Sequence, residues 1–191
     1  RYYRPHESPD AFGIVSSTKR WFAGEPTGTD LLVAKIDKKG MPSMTVPQLA
    51  GINPAPGTRF AAASLPGETQ EPVISSLTYL YEQVAKVDGP QESHMGRKWV
   101  FAVGADNSKE AQATACDHGA SGTLAQSDGG YLGVITDSID GTDYSPEVWQ
   151  AARAPYEAIS GVDLSSASAI CLATPLDPKT FISFVGGIER H

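Results

Sequence analysis

Ser64 ends a short apolar run, Arg59 to Leu65, just ahead of Pro66-Gly67, where a strand-to-turn elbow could present a nucleophilic hydroxyl. The glycine such an elbow wants two residues earlier is Ala62, and Pro66 removes a backbone N–H near the place where an oxyanion donor is needed. A hydrolase also needs a base. The four histidines, His6, His94, His118 and His191, fall in an N-terminal arm, a loop, a helix end and the terminus, so none is spaced to serve Ser64. Cys116-Asp117-His118 sets a thiol and an imidazole two residues apart, which on a helix points them in different directions and argues against a shared metal. His118 near a helix C-terminus has a plain electrostatic explanation.

Two loops hold acids or free backbone donors. The turn Gly104-Ala105-Asp106-Asn107-Ser108 follows an apolar strand and opens a helix, so its N–H groups could receive an anion. It lacks both the three-glycine dinucleotide pattern and the Gly-Lys-Ser/Thr ending of a phosphate loop, and Asp106 would repel phosphate. Helix capping by Asp106 or Asn107 accounts for it. Asp128, Asp137, Asp140 and Asp143 form the best metal candidate, yet they are not placed at the alternate positions of a calcium loop. Asp140-Gly141 suits a turn, and Asp143 suits the start of the helix that follows. We therefore expect no metal, no cofactor and no catalytic residue.

The elements that would position these groups read as alternating strands and helices. Thr29 to Ile36 and Met44 to Val46 suggest a hairpin around the turn Lys38 to Gly40. Pro47 to Thr58 is loop, Arg59 to Leu65 a buried strand. The next segment carries Val73, Leu77, Leu80, Tyr81, Val84 and Val87 at three- and four-residue intervals between Pro72 and Gly89-Pro90, which predicts a helix. Lys98 to Val103 reads as a strand and Ser108 to His118 as a helix with Asn107 and Glu110 at capping-box spacing. Tyr131 to Thr136 is a strand. Ser145-Pro146-Glu147 starts a helix whose face is Val148, Trp149, Ala152, Tyr156 and Ile159, kinked or divided at Pro155. Ser168 to Ala173 and Thr180 to Gly186 read as a C-terminal hairpin around Pro175 to Pro178. No internal repeat is evident. The predicted fold is α/β: a mixed, partly parallel sheet with helices packed on it and a C-terminal hairpin.

The bulk composition bounds the rest. A chain of 191 residues with 40% hydrophobic and 19% charged residues can bury one core, and we divide it into an arm, 1–22, and a single α/β domain, 23–191. A formal charge of −7 with scattered Lys and Arg excludes a nucleic-acid partner. No apolar run approaches the roughly 20 residues that span a bilayer, and the chain reads as soluble, from a bacterial cytoplasm or periplasm. Cys116 and Cys171 admit two readings, a single bridge in an oxidising space or two unpaired buried thiols, and the second is preferred because Cys171 sits in an apolar strand and Cys116 in a small-residue helix.

Aromatics remain to be explained. Tyr2, Tyr3, Phe12, Trp21 and Phe22 lie in the arm, which has no regular face on which to bury them, so they are the expected partner-binding residues. The run Ser8-Pro9-Asp10-Ala11-Phe12-Gly13-Ile14-Val15-Ser16-Ser17-Thr18, followed by alternating strands and helices, resembles proteobacterial proteins that accompany phospholipase effectors of the type VI secretion system as adaptors or immunity partners. That resemblance implies a non-catalytic α/β protein that binds another protein, with a secreted effector as the implied partner. The alternatives are a hydrolase or transferase working from strand-end loops, with Ser64, Asp106 and His118, and a small-ligand-binding domain with a pocket beside Gly104 to Ser108.

Overall fold

The computed structural model describes residues 50, 53–64, 73–85, 96–104, 116, 120–176 and 178, with 15–20, 32–36, 86–88 and 93–95 described by their backbone alone. Strands β1 (Val15–Arg20) and β2 (Leu32–Ile36) pair antiparallel as a sheet of their own. The described partner of Leu32–Ile36 is thus a strand from within the arm, and the other half of the expected hairpin, Met44 to Val46, lies outside the described residues.

Arg59–Ser64 forms β3, whose side chains alternate strictly between exposed and buried, with Phe60, Ala62 and Ser64 turned inward. It is followed by β4 (Val73–Asp88), β5 (Ser93–Val103), β6 (Leu124–Gln126), β7 (Leu132–Asp140) and β8 (Ala169–Pro175). These six strands close into a barrel in the order β3-β4-β5-β8-β7-β6, and every pairing is antiparallel. The expected mixed, partly parallel α/β sheet is therefore overturned. Val73 to Val87 is not a helix but most of a 16-residue strand. The cause is a bulge: Tyr79 pairs with Phe101 and Tyr81 with Val100, leaving Leu80 as the extra residue. Leu77 and Tyr79 enter the barrel core while Leu80 and Tyr81 pack outside it, so a strand buried on both faces shows helix-like spacing.

The C-terminal hairpin is corrected as well. From Ala169 to Ala173, β8 has β5 on one edge and β7 on the other, so no edge is vacant there for Thr180 to Gly186. That second segment, like the expected helix Ser108 to His118 apart from Cys116, lies outside the described residues.

Among the described residues the one α-helix is α1 (Pro146–Ser160), and its caps are those the sequence shows. Ser145 Oγ accepts from the Val148 N–H, Pro146 sits at the first turn, and Gly161 ends the helix at φ 69°. Hydrogen bonds from its own backbone N–H and from Ser145 hold the Glu147 carboxyl below its usual range. Pro155 does not divide the helix. It is exposed, as is Ala151, the residue whose carbonyl has no N–H donor at Pro155. Trp149 with Ala152 and Tyr156 packs onto Leu80, Val100, Ala102 and Ile170 of the barrel's outer wall, whereas Val148 and Ile159 are exposed. Trp149 is thus a core residue, its Nε1–H donating to the Ala167 carbonyl at 2.8 Å.

Gly141, between β7 and α1, is where that packing is tightest. A Cβ there would stand 2.5 Å from the Ser168 carbonyl oxygen and 2.6 Å from Trp149 Cε2. Gly141→Ala is expected to lower stability by about 1–3 kcal/mol through overpacking, measured as a shift in urea midpoint.

An internal repeat, not evident from sequence, organises the barrel. Strands β3-β4-β5 and β6-β7-β8 are two antiparallel meanders with one hydrogen-bond pattern. Gly57 N donates to Tyr79 O, Tyr79 N to Thr58 O and Thr58 N to Ala55 O; Gly122 N donates to Ile135 O, Ile135 N to Thr123 O and Thr123 N to Ala120 O. Gly57 and Gly122 have φ of 87° and 91°, and the β4 bulge at Leu80 is matched in β7 by one at Thr136. Ala-Pro-Gly-Thr (55–58) and Ala-Ser-Gly-Thr (120–123) are its sequence trace.

Candidate functional site

The barrel interior is full. Phe60, Leu77, Tyr79, Trp99, Phe101, Val103, Ile135 and the small residues Ala62, Ala125, Ala169 and Ala173 fill it, and Gly133 is bare where the Trp99 ring lies. Phe60 and Phe101 meet edge to face at 4.9 Å, with Tyr79 and Trp99 edge-on around them.

One end of the barrel is sealed by polar groups. The Arg97 guanidinium grips the Glu82 carboxylate through Nε at 3.0 Å and Nη2 at 2.7 Å, and Asn53 Oδ1 accepts from Arg97 Nη2 and from Trp99 Nε1. Burial, and secondarily the Glu82 charge, push the Tyr79 hydroxyl up to about 12, while Arg97 opposes that shift. The sign is that of an acid more easily ionised in the unfolded chain. Stability is retained below about pH 10 and falls as pH rises toward about 12, which alkaline unfolding of wild type against Tyr79→Phe would register. This cluster ties strands and a loop together and sets no nucleophile against a base.

The other candidate is the outer wall. Opposite the helix, β4, β3 and β6 turn Ile74, Ala61, Ala63 and Leu124 outward; Ile74 is 74% exposed and Leu124 43%. Ala63 pairs with Ile74, and continuing the β3–β6 register by one residue sets Leu124 beside Ala63, so an apolar row crosses three strands. A shallow groove of about 350 Å³ lies against it, lined by Arg59, Ala61, Ile74, Ser76, Gln126 and Asp128. A cation and a carboxylate flank an apolar strip.

No family model, curated protein or solved structure matches this chain.

The residues singled out from sequence fare differently. Tyr2, Tyr3, Phe12, Trp21 and Phe22 lie outside the described residues, as do Asp106, Asn107, His6, His118 and His191. His94 is in β5 rather than a loop. Ser64 is only 6% exposed, at the inward-facing end of β3, and its hydroxyl has no hydrogen-bond partner among the described residues. Burial removes it from any exposed elbow. Ser64→Ala is expected to be neutral or stabilising by about 1 kcal/mol, because it deletes a buried hydroxyl that makes no bond; a thermal-melt series against Ser64→Gly would show it.

Cys116 is joined to Cys171 in a disulfide, with Cα atoms 5.8 Å apart, which corrects the expectation of two free thiols and removes Cys116 as a nucleophile. The aspartates do not converge. Asp137 accepts from the Ser138 N–H and Asp140 from both the N–H and hydroxyl of Thr142, and no three His, Cys, Asp or Glu side chains gather among the described residues. Sequence reasoning missed the wall altogether. The available signal was Ile74 beside Val73, since in a strand adjacent apolar residues face opposite sides.

Lys98 is the other unanticipated group. It is 4% exposed on the outer face of β5, donating to Thr136 Oγ1 at 2.8 Å and Thr174 Oγ1 at 2.9 Å. Thr136, next to the inward-facing Ile135, is the extra residue of the β7 bulge and meets Lys98 on the outer face. In the other meander the matching positions are Ile170, Leu80 and Ala102, the apolar seat of α1.

Proposed function

We propose that this domain is a non-catalytic protein-binding module that engages its partner through the wall formed by β4, β3 and β6. The observation that carries the reading is the exposed apolar row Ile74–Ala63–Leu124 on a barrel whose described inward side chains pack against one another. Flat, half-apolar walls edged by charges suit a folded protein surface better than a small molecule, which needs a concave site. Arg59 and Asp128 at its margins supply orientation.

The enzyme alternative loses its nucleophile, because Ser64 is enclosed in the barrel and Cys116 is oxidised. Among the described residues no helix is long and apolar enough to cross a membrane. The resemblance of Ser8 to Thr18 to effector-accessory proteins supplies the first partner class to try, a secreted bacterial effector. The test is capture from lysate of the source organism by wild type and by Ile74→Asp/Leu124→Asp, beside a control changed at Val148 and Ile159 of α1. A partner retained by wild type and control but lost by the wall variant supports the reading. Equal capture by all three removes it.

A further inference from the structure

The two meanders anchor their entering segments at one equivalent place by different chemistry. Tyr79 opposite Phe101 in the first corresponds to Ile135 opposite Ala173 in the second, so Trp99 of β5 and Cys171 of β8 occupy matching positions. Trp99 holds the segment leading into β3 through its hydrogen bond to Asn53. Cys171 holds the segment leading into β6 through the bond to Cys116. A half-barrel of this design therefore does not need a covalent tie there.

What differs is the strand that follows. β6 has three residues, pairs with β3 through Ala61↔Gln126 and Ala62↔Ala125 alone, and closes the barrel, whereas β3 has six residues in register with β4. The closing seam is the thinnest pairing of the six. We propose that the Cys116–Cys171 disulfide is a redox-sensitive latch on this seam: oxidised, it pins the chain entering β6; reduced, it lets that chain and β6 part from β3 while the remaining strands stay folded. Cys116 and Cys171 are 1% and 0% exposed, so a reductant reaches them only during transient local openings of the oxidised barrel.

The reductant is a dithiol. Its thiolate attacks one sulfur, the Cys116–Cys171 bond breaks, and the departing cysteine takes a proton; the reductant's second thiolate then displaces the mixed disulfide and frees the other cysteine as a thiol. The protein gains two electrons and two protons, and the dithiol ends as a disulfide.

The experiment is amide hydrogen exchange on the full chain, oxidised and dithiol-reduced, with the two added hydrogens confirmed by intact mass. Peptides covering Cys116 and Ala120–Gln126 should lose protection by about tenfold or more on reduction, while β4, β5 and β8 change by less than about twofold. Cys116→Ala, which needs no reductant, should reproduce that pattern. Loss of protection in all six strands together, or failure of Cys116→Ala to fold, would make the bridge integral to the barrel and overturn the latch. Unchanged protection in the reduced chain would overturn it too. These outcomes are independent of whether the wall binds protein.

Discussion

Truncation of Phe101 to alanine is expected to cost about 3–5 kcal/mol of stability, the largest effect of any single core substitution considered. Phe101 is fully enclosed at the centre of the barrel, with ring centroids of Phe60 at 4.9 Å, Tyr79 at 5.8 Å and Trp99 at 6.3 Å. Those rings come from β3, β4 and β5, which pair backbone to backbone and cannot move in to fill the gap without breaking ladders. The cavity therefore persists, and the lost edge-to-face contacts add to the transfer cost. Urea unfolding should show a lower midpoint with an unchanged slope. A loss under about 1 kcal/mol would mean that the interior is not packed around this ring.

Binding should respond to a different set of residues. Ile74→Asp/Leu124→Asp is expected to weaken the partner complex by at least about 30-fold, the scale of a disrupted interface hot spot. The reason is desolvation: on docking, two carboxylates would be buried in an apolar row, and Arg59, the one cation in the lining of the adjoining groove, cannot pair with both. Ile74 is 74% exposed and Leu124 43%, so the stability cost should stay within about 1–2 kcal/mol, most of it from the half-covered Leu124. Titration calorimetry with the captured partner measures the first effect and a thermal melt the second. An unchanged affinity would place the interface elsewhere.

How much of this was legible can be judged from particular residues. The start of helix α1 and its packed residues were readable because their signals are local, Ser145, Pro146, Glu147 and the spacing of Trp149, Ala152 and Tyr156, whereas a division at Pro155 and burial of Val148 and Ile159 were expected and are not found. Arg59–Ser64 was also found as a strand. The stretch from Val73 to Val87 misled because its apolar spacing came from a bulge and from burial on both faces, neither of which is local. Its β-branched and aromatic content, Val73, Ile74, Thr78, Tyr79, Tyr81, Val84 and Val87, was the counter-signal. Removing that helix changes the fold class. With β3, β4 and β5 following one another through short connections, the neighbouring strands must run antiparallel, because a parallel pair needs a long crossover.

The bridge and the repeat were illegible for a related reason. Cys116 and Cys171 are 55 residues apart in sequence and meet only in the folded barrel, where β8 sits between β5 and β7. Ala-Pro-Gly-Thr and Ala-Ser-Gly-Thr share three residue types, too few to register until their hydrogen bonds are compared. The wall was hidden behind the supposed helix, where Ile74 had no assigned face. The aromatic arm drew attention instead, because its residues were the ones without a periodic place to be buried.

The most direct measurement is site-specific photo-crosslinking in cells of the source organism, with a photoreactive residue at position 74 or, as control, at position 159 of α1. A partner held on the β4–β3–β6 wall gives one discrete adduct from position 74 and none from position 159. No adduct from position 74, or the same adducts from both, contradicts a protein-binding wall on this barrel.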